Sequence, residues 1–165
     1  VSRLVRRGEA NLGVRYFADH DDRELVCEPL GVERMCVVGS PNEAASEKRP
    51  RWIGFPARTT KEDLGLLLRR QLTAAGAGVV SVMTVDSLSA QKRLVEAGIG
   101  IALLPESSVR EELTRGTLVI LAMPRIATSI DVQLVYRRDG HLSPAARNLI
   151  SLLKRAFAGR SGRRR

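Results

Sequence analysis

Apolar residues recur along this chain in two different rhythms. Near the front they gather in short runs separated by polar turns, the pattern of strands, at Asn11 to Phe17, Glu24 to Pro29 and Arg34 to Gly39. The last of these is dense in β-formers (Met35, Cys36, Val37, Val38). Ahead of them Val1 to Arg7 reads as the last turns of a helix stopped by Gly8, and Asp19 to Asp22 is a polar turn. Ser40 to Pro50 has the Pro, Asn and Ser content of a connection.

Beyond that connection the rhythm becomes strand, helix, strand, helix. Trp52 to Phe55 predicts a strand, and Leu64, Leu67, Leu68, Leu72 and Ala75 follow at helical spacing until Gly76 and Gly78 stop them. Val79 to Met83 is a strand, and Ser87 to Ala97 is a helix with Leu88, Leu94 and Val95 inward, ended by Gly98. Ile101 to Leu104 is again a strand, Pro105 opens a short helix through Leu113, and Leu118 to Leu121 is a strand. Such alternation implies an α/β fold of parallel strands joined by right-handed crossovers. Asp131 to Arg137 is a long returning strand, and Ser143-Pro144 starts a terminal helix with Ala146, Leu149, Ile150, Leu153 and Phe157 on one apolar face. The tail after Gly159 reads as disordered.

Composition narrows the function classes. A chain of 165 residues with 44% hydrophobic residues can close one sizeable core or two small lobes. The net charge is +9, but Arg160, Arg163, Arg164 and Arg165 supply four of those charges within the tail. With aromatics at 4%, there are too few rings for a stacking platform on single-stranded nucleic acid. Cys27 and Cys36 lack the number and spacing of a disulfide scaffold or zinc site and read as buried strand thiols. No apolar run approaches the roughly 20 residues of a membrane span, and the N-terminus has no signal-peptide core, so a cytoplasmic protein is expected.

Three segments share a position that carries chemistry: Pro56 to Thr60, Thr84 to Ser87, and Pro105 to Ser107. Each follows the carboxyl end of a predicted strand and precedes a helix N-terminus, where open α/β sheets bind ligands. Helix N-termini present unpaired N–H groups and partial positive charge, so the expected guest is a small anion, with Arg58 as a bidentate partner and Thr59, Thr60, Thr84 and Ser87 as hydroxyl donors. Individually, Thr60 and Ser87 are also ordinary helix caps, Asp86 a normal first-turn acid, and Arg58 an ordinary surface charge. It is their common place relative to the strands that singles out the set.

Catalytic and metal readings are weaker. His20 sits among Asp19, Asp21 and Asp22, but consecutive acids in a turn diverge, and no second ligand cluster accompanies them. His141 has no evident nucleophile beside it. Gly98-Ile99-Gly100 is too short for a dinucleotide loop. No metal, no cofactor and no catalytic residue is expected.

Taken together, several stretches resemble the effector-binding domain of LysR-type transcriptional regulators. They are Leu4-Val5-Arg6-Arg7-Gly8-Glu9-Ala10-Asn11-Leu12-Gly13-Val14, Leu94-Val95-Glu96-Ala97-Gly98-Ile99-Gly100-Ile101-Ala102-Leu103-Leu104-Pro105, and Val135-Tyr136-Arg137-Arg138-Asp139 followed by Leu142-Ser143-Pro144-Ala145-Ala146-Arg147. Their order and spacing fit over nearly the whole chain. The resemblance implies a two-lobed fold like the type 2 periplasmic binding proteins, with lobe I at 1–40 plus 137–159, lobe II at 41–136, and a basic tail at 160–165. It implies a small-molecule effector held in the cleft between lobes, pairing of the strands near Arg34 to Gly39 and Asp131 to Arg137, and no enzymatic activity. Carried over by position, the effector contacts fall on Gly54, Phe55, Arg58, Thr59, Thr60, Thr84, Asp86 and Ser87.

In such regulators a preceding winged helix binds DNA, and the effector alters a homodimer or tetramer. This sequence contains neither that winged helix, nor the linker helix, nor the first strand and helix of lobe I, so the first lobe is expected to be incomplete and prone to association through exposed edge and apolar surface. Asn11 also replaces the family's usual Asp. The competing reading of the same fold is a solute-binding protein of a transport system, which an export signal or lipid-anchor cysteine would mark.

Overall fold

In the computed structural model, residues 1–16, 23–44, 50–57, 64–76, 81–123, 126 and 129–161 are described. The chain forms two compact units, one of Val1–Glu33 with Ile130–Arg165 and one of Arg34–Ser129. It passes between them twice, inside the long strand β2 (Leu25–Gly39) and near the start of β7 (Ser129–Arg137).

The first unit is built on β1 (Leu12–Tyr16), β7 and the leading part of β2. β1 pairs antiparallel with β7, Leu12 facing Tyr136 and Tyr16 facing Val132, and Arg138 N donates to Glu24 O at 2.8 Å on the other side. Side chains alternate along β7, as a pleated strand requires. Val135 joins Val5 and Leu25 under α1 (Ser2–Arg6), whereas Val132 and Leu134 join Leu30, Ile150, Leu153 and Phe157 under α6 (Pro144–Ser161). Gly8, at φ +74, closes α1 as expected. On the α1 side the buried Arg15 donates to Ser2 Oγ at 2.7 Å and to Cys27 Sγ at 3.3 Å.

On the α6 side, Tyr136 donates its phenol proton to Glu28, which also pairs with Lys154. Lys154 and then Tyr136 hold the Glu28 carboxyl below its usual range, while the carboxylate and burial push Tyr136 up to about 12. An unfolded tyrosine ionises near 10.0. Between those two values the unfolded chain loses a proton that the folded one keeps, so the contribution of Tyr136 is fully present below about pH 10 and fades as pH rises toward 12. Melting temperatures of wild type and Tyr136→Phe should therefore converge across that interval.

The second unit is a sheet in the order β2-β5-β3-β4, with β5 Ile101–Pro105, β3 Trp52–Gly54 and β4 Val82–Thr84; β6 (Val119–Ile120) pairs with β2. β3 runs parallel to both its neighbours, and β2 runs antiparallel to β5. Both faces are covered, so alternate side chains enter different clusters. Cys36, Val38, Ile53, Ala102 and Leu104 pack with Val95 of α4 (Leu88–Glu96) and Val109 of α5 (Glu106–Arg115). Val37, Trp52 and Ile101 pack with Leu68 and Leu72 of α3 (Leu64–Ala74).

Several expectations are corrected. The segments Glu24 to Pro29 and Arg34 to Gly39 are one strand, not two. β7 lies between β1 and β2, so the expected pairing of the two long strands β2 and β7 is present, and Met35 to Gly39 of β2 also pairs with β5 and β6. Pro105 ends β5 and stands at the N-cap of α5 instead of opening the helix. The Ser40 to Pro50 connection contains a short helix, α2 (Pro41–Ala44), whose Glu43 N donates to Ser40 Oγ at 3.3 Å. Leu149 is 45% exposed and does not join the inward face of α6. Both cysteines are thiols outside any disulfide, Cys36 buried and Cys27 only half-buried. Among the described residues no helix is long and apolar enough to cross a membrane. His20 with its flanking acids, and the tail from 162, lie outside the described residues.

Candidate functional site

Because β3 is parallel to β4 and β5, the carboxyl ends of all three strands lie along one edge of the second unit's sheet. Gly54 pairs with Thr84 at that edge, and Val85 N donates to Gly54 O at 2.9 Å, so the β3–α3 and β4–α4 connections leave the sheet side by side. Gly54 is buried and Phe55 half-buried, whereas Thr84, Asp86 and Ser87 are exposed. Arg58, Thr59 and Thr60 lie outside the described residues.

Ser87 does what its residue type suggests. It stands in extended backbone at the N-cap of α4, and its Oγ accepts from Ala90 N at 3.4 Å. That satisfies part of the first turn; the remaining backbone donors and the dipole leave a weakly electropositive end next to Thr84 and Asp86.

The third connection, Pro105 to Ser107, differs from the other two. α5 has no side-chain cap, and Glu106 occupies its first turn, paired with Arg34 at 3.2 Å. A carboxylate already fills the place where an anion would be stabilised, so this helix end is electrostatically answered from within. Ser108 Oγ also turns back to Pro105 O at 2.7 Å. The β3–α3 and β4–α4 connections are thus the two that leave the sheet side by side, and α4 starts without an acid in its first turn.

Across residues 1–158 the sequence matches the model of the LysR substrate binding domain. The chain belongs to the LysR substrate-binding domain family. It is 28% identical over 141 residues to the HTH-type transcriptional regulator BbuR of Bordetella bronchiseptica, covering 82% of this chain and 43% of that protein. The regulatory domain of HypT from Salmonella typhimurium superposes with a TM-score of 0.76 at 20% identity, covering 95% of this chain and 77% of that one. Full-length LysG from Corynebacterium glutamicum, solved with bound effector Arg, gives a TM-score of 0.69 at 20% identity, covering 94% of this chain and 53% of that one. The chain thus spans less than half the length of BbuR. Its fold is the α/β, two-lobed fold of the type 2 periplasmic-binding-protein class.

Two residues that pack against these connections in this LysR substrate-binding domain carry sequence signals easily passed over. Gly65 lies inside the leucine run of α3, where glycine is unfavourable. A Cβ on it would stand 2.4 Å from Phe55 O and 2.8 Å from Ala57 N, so its bareness lets α3 press against the backbone of the β3–α3 connection. Gln91 sits between Leu88 and Val95 on the inward face of α4, a polar residue at an apolar position. It is 0% exposed, and its Nε2 donates to Val85 O at 2.7 Å, holding the β4–α4 connection from beneath.

Proposed function

We propose that this domain is the effector sensor of a LysR-type regulator and that its Arg34–Ser129 unit binds a small anionic metabolite of the carboxylate class. The site comprises Gly54, Phe55, Arg58, Thr59, Thr60, Thr84, Asp86 and Ser87. The observation that carries this reading is the parallel β4-β3-β5 edge, which brings two strand-to-helix connections together at a helix N-terminus without an acid in its first turn. LysG, solved with bound effector Arg, supports small-molecule binding by this fold.

In the longer regulator, the effector changes the geometry of a homodimer or tetramer on DNA, which is held through an N-terminal winged helix outside this chain. The protein acts in the cytoplasm, with no membrane partner, no cofactor and no enzymatic activity. Ligand that binds only the folded state raises its melting temperature. A thermal-shift screen of small carboxylates and aromatic acids should therefore give concentration-dependent stabilisation, and Arg58→Ala should weaken the best acid by about 1–3 kcal/mol in calorimetry. Unchanged affinity removes Arg58 from the site, and no stabilisation by any acid removes the site itself.

A further inference from the structure

Gln91 holds a buried oxygen that nothing in the described fold satisfies. Its Nε2 is committed to Val85 O at 2.7 Å, which fixes the orientation of the amide, since the flipped form would set oxygen against oxygen. Oε1 is inaccessible to solvent and has no hydrogen-bond partner among the described residues. Native buried acceptors are almost always paired, and an unpaired one costs more than an apolar side chain of the same shape. Filling space is therefore a poor account of a glutamine here: its neighbours on that helix face are apolar, with Val95 fully buried among Ile53, Leu104 and Val109. Through Nε2 the amide sits against Val85, whose chain neighbours Thr84, Asp86 and Ser87 at the start of α4 are exposed.

We propose that Gln91 is a specificity-determining residue of this site: Oε1 accepts a hydrogen bond from the ligand, so the preferred anion carries an O–H or N–H donor beside its acidic group. The ligand class is then a hydroxy- or amino-carboxylate. The acid lies at the α4 N-terminus and its neighbouring donor reaches Gln91 Oε1, with the Nε2 bond to Val85 O kept. This inference rests on the anion site proposed above and adds to it a chemical preference that a helix end alone does not have.

The test compares acids matched except for the donor: propionate with lactate, succinate with malate, and 3-phenylpropionate with phenyllactate, each titrated against the whole chain by thermal shift. The expected result is a half-saturating concentration about tenfold lower for the hydroxylated member of at least one pair. That advantage should be lost in Gln91→Met, which keeps the side-chain length, and retained in Ser89→Ala on the exposed side of α4. Equal binding within every pair by wild type overturns the inference while leaving the anion site standing, and this comparison needs no variant to fold. A preference that survives in Gln91→Met also overturns it. Absence of stabilisation by all six acids overturns both readings.

Discussion

Gly65→Ala is expected to lower the unfolding free energy by about 2 kcal/mol, even though alanine is the better helix former by roughly 1 kcal/mol. The added carbon would meet Phe55 O at 2.4 Å, with Ala57 N and Pro56 C both at 2.8 Å. All three are backbone atoms, so relief requires α3 or the whole β3–α3 connection to shift instead of one side chain rotating. Leu68 and Leu72 anchor α3 in the cluster around Trp52 and Ile101, and moving the helix opens that packing. Gly116→Ala is the control: at φ +74 with nothing within 4 Å, it carries only the left-handed backbone penalty of about 1 kcal/mol. Urea denaturation of both variants checks the ranking. If Gly65→Ala matches wild type, the connection yields freely and α3 does not set its position. If it is destabilised and also binds the best acid of the screen more weakly, helix position and loop geometry are linked.

The second unit was the more readable half of the sequence because its signals are local. Helix spacing from Leu64 to Ala75, the cap at Ser87 and the glycines at Gly76 and Gly98 each punctuate the chain within a few residues, and β3, α3, α4 and β5 follow them. β2 was harder because Pro29 and Gly31 resemble a break. Pro29 is exposed, and a strand whose one row of N–H groups needs no partner tolerates proline. The Ser-Pro pair shows how context misleads. At Ser143-Pro144 it precedes an apolar face and suggests a helix, whereas the same pair at Ser40-Pro41 is followed by polar residues and suggests a loop, yet Ser40 Oγ caps α2 just as Ser143 Oγ accepts from Ala146 N. Of the site, the strand ends and caps were visible in the residue pattern. The contacts of Gly65 and Gln91 were not, because their meaning depends on backbone brought close by the sheet.

Lys92→Met should cost about 3 kcal/mol at neutral pH, the largest single effect anticipated for the second unit. Lys92 Nζ lies 2.5 Å from Glu112 Oε1 and donates to Ser108 O at 2.9 Å, tying α4 to both the first and second turns of α5. The Glu112 side chain is only 8% exposed, and its Oε2 has no partner among the described residues, so the carboxylate depends on this ammonium group. The hydrogen bond from Lys92 is the main cause holding the Glu112 carboxyl below its ordinary 4.5, against the opposing pull of burial. A depressed carboxyl contributes stability above its unfolded value and loses it as pH falls through the folded one. Without Lys92 the largest cause of the lowering is gone, burial is opposed only by a backbone hydrogen bond and the charge of Arg93, and the variant has less of this stability to lose as pH falls. The gap between wild type and Lys92→Met should therefore be widest near pH 7 and close toward acid, and adding Glu112→Leu should recover most of it by removing the stranded charge. Urea denaturation at neutral and acidic pH distinguishes the causes: a gap that stays constant over that range places the cost in the lysine's lost packing and its bond to Ser108 O, not in the charge it neutralises.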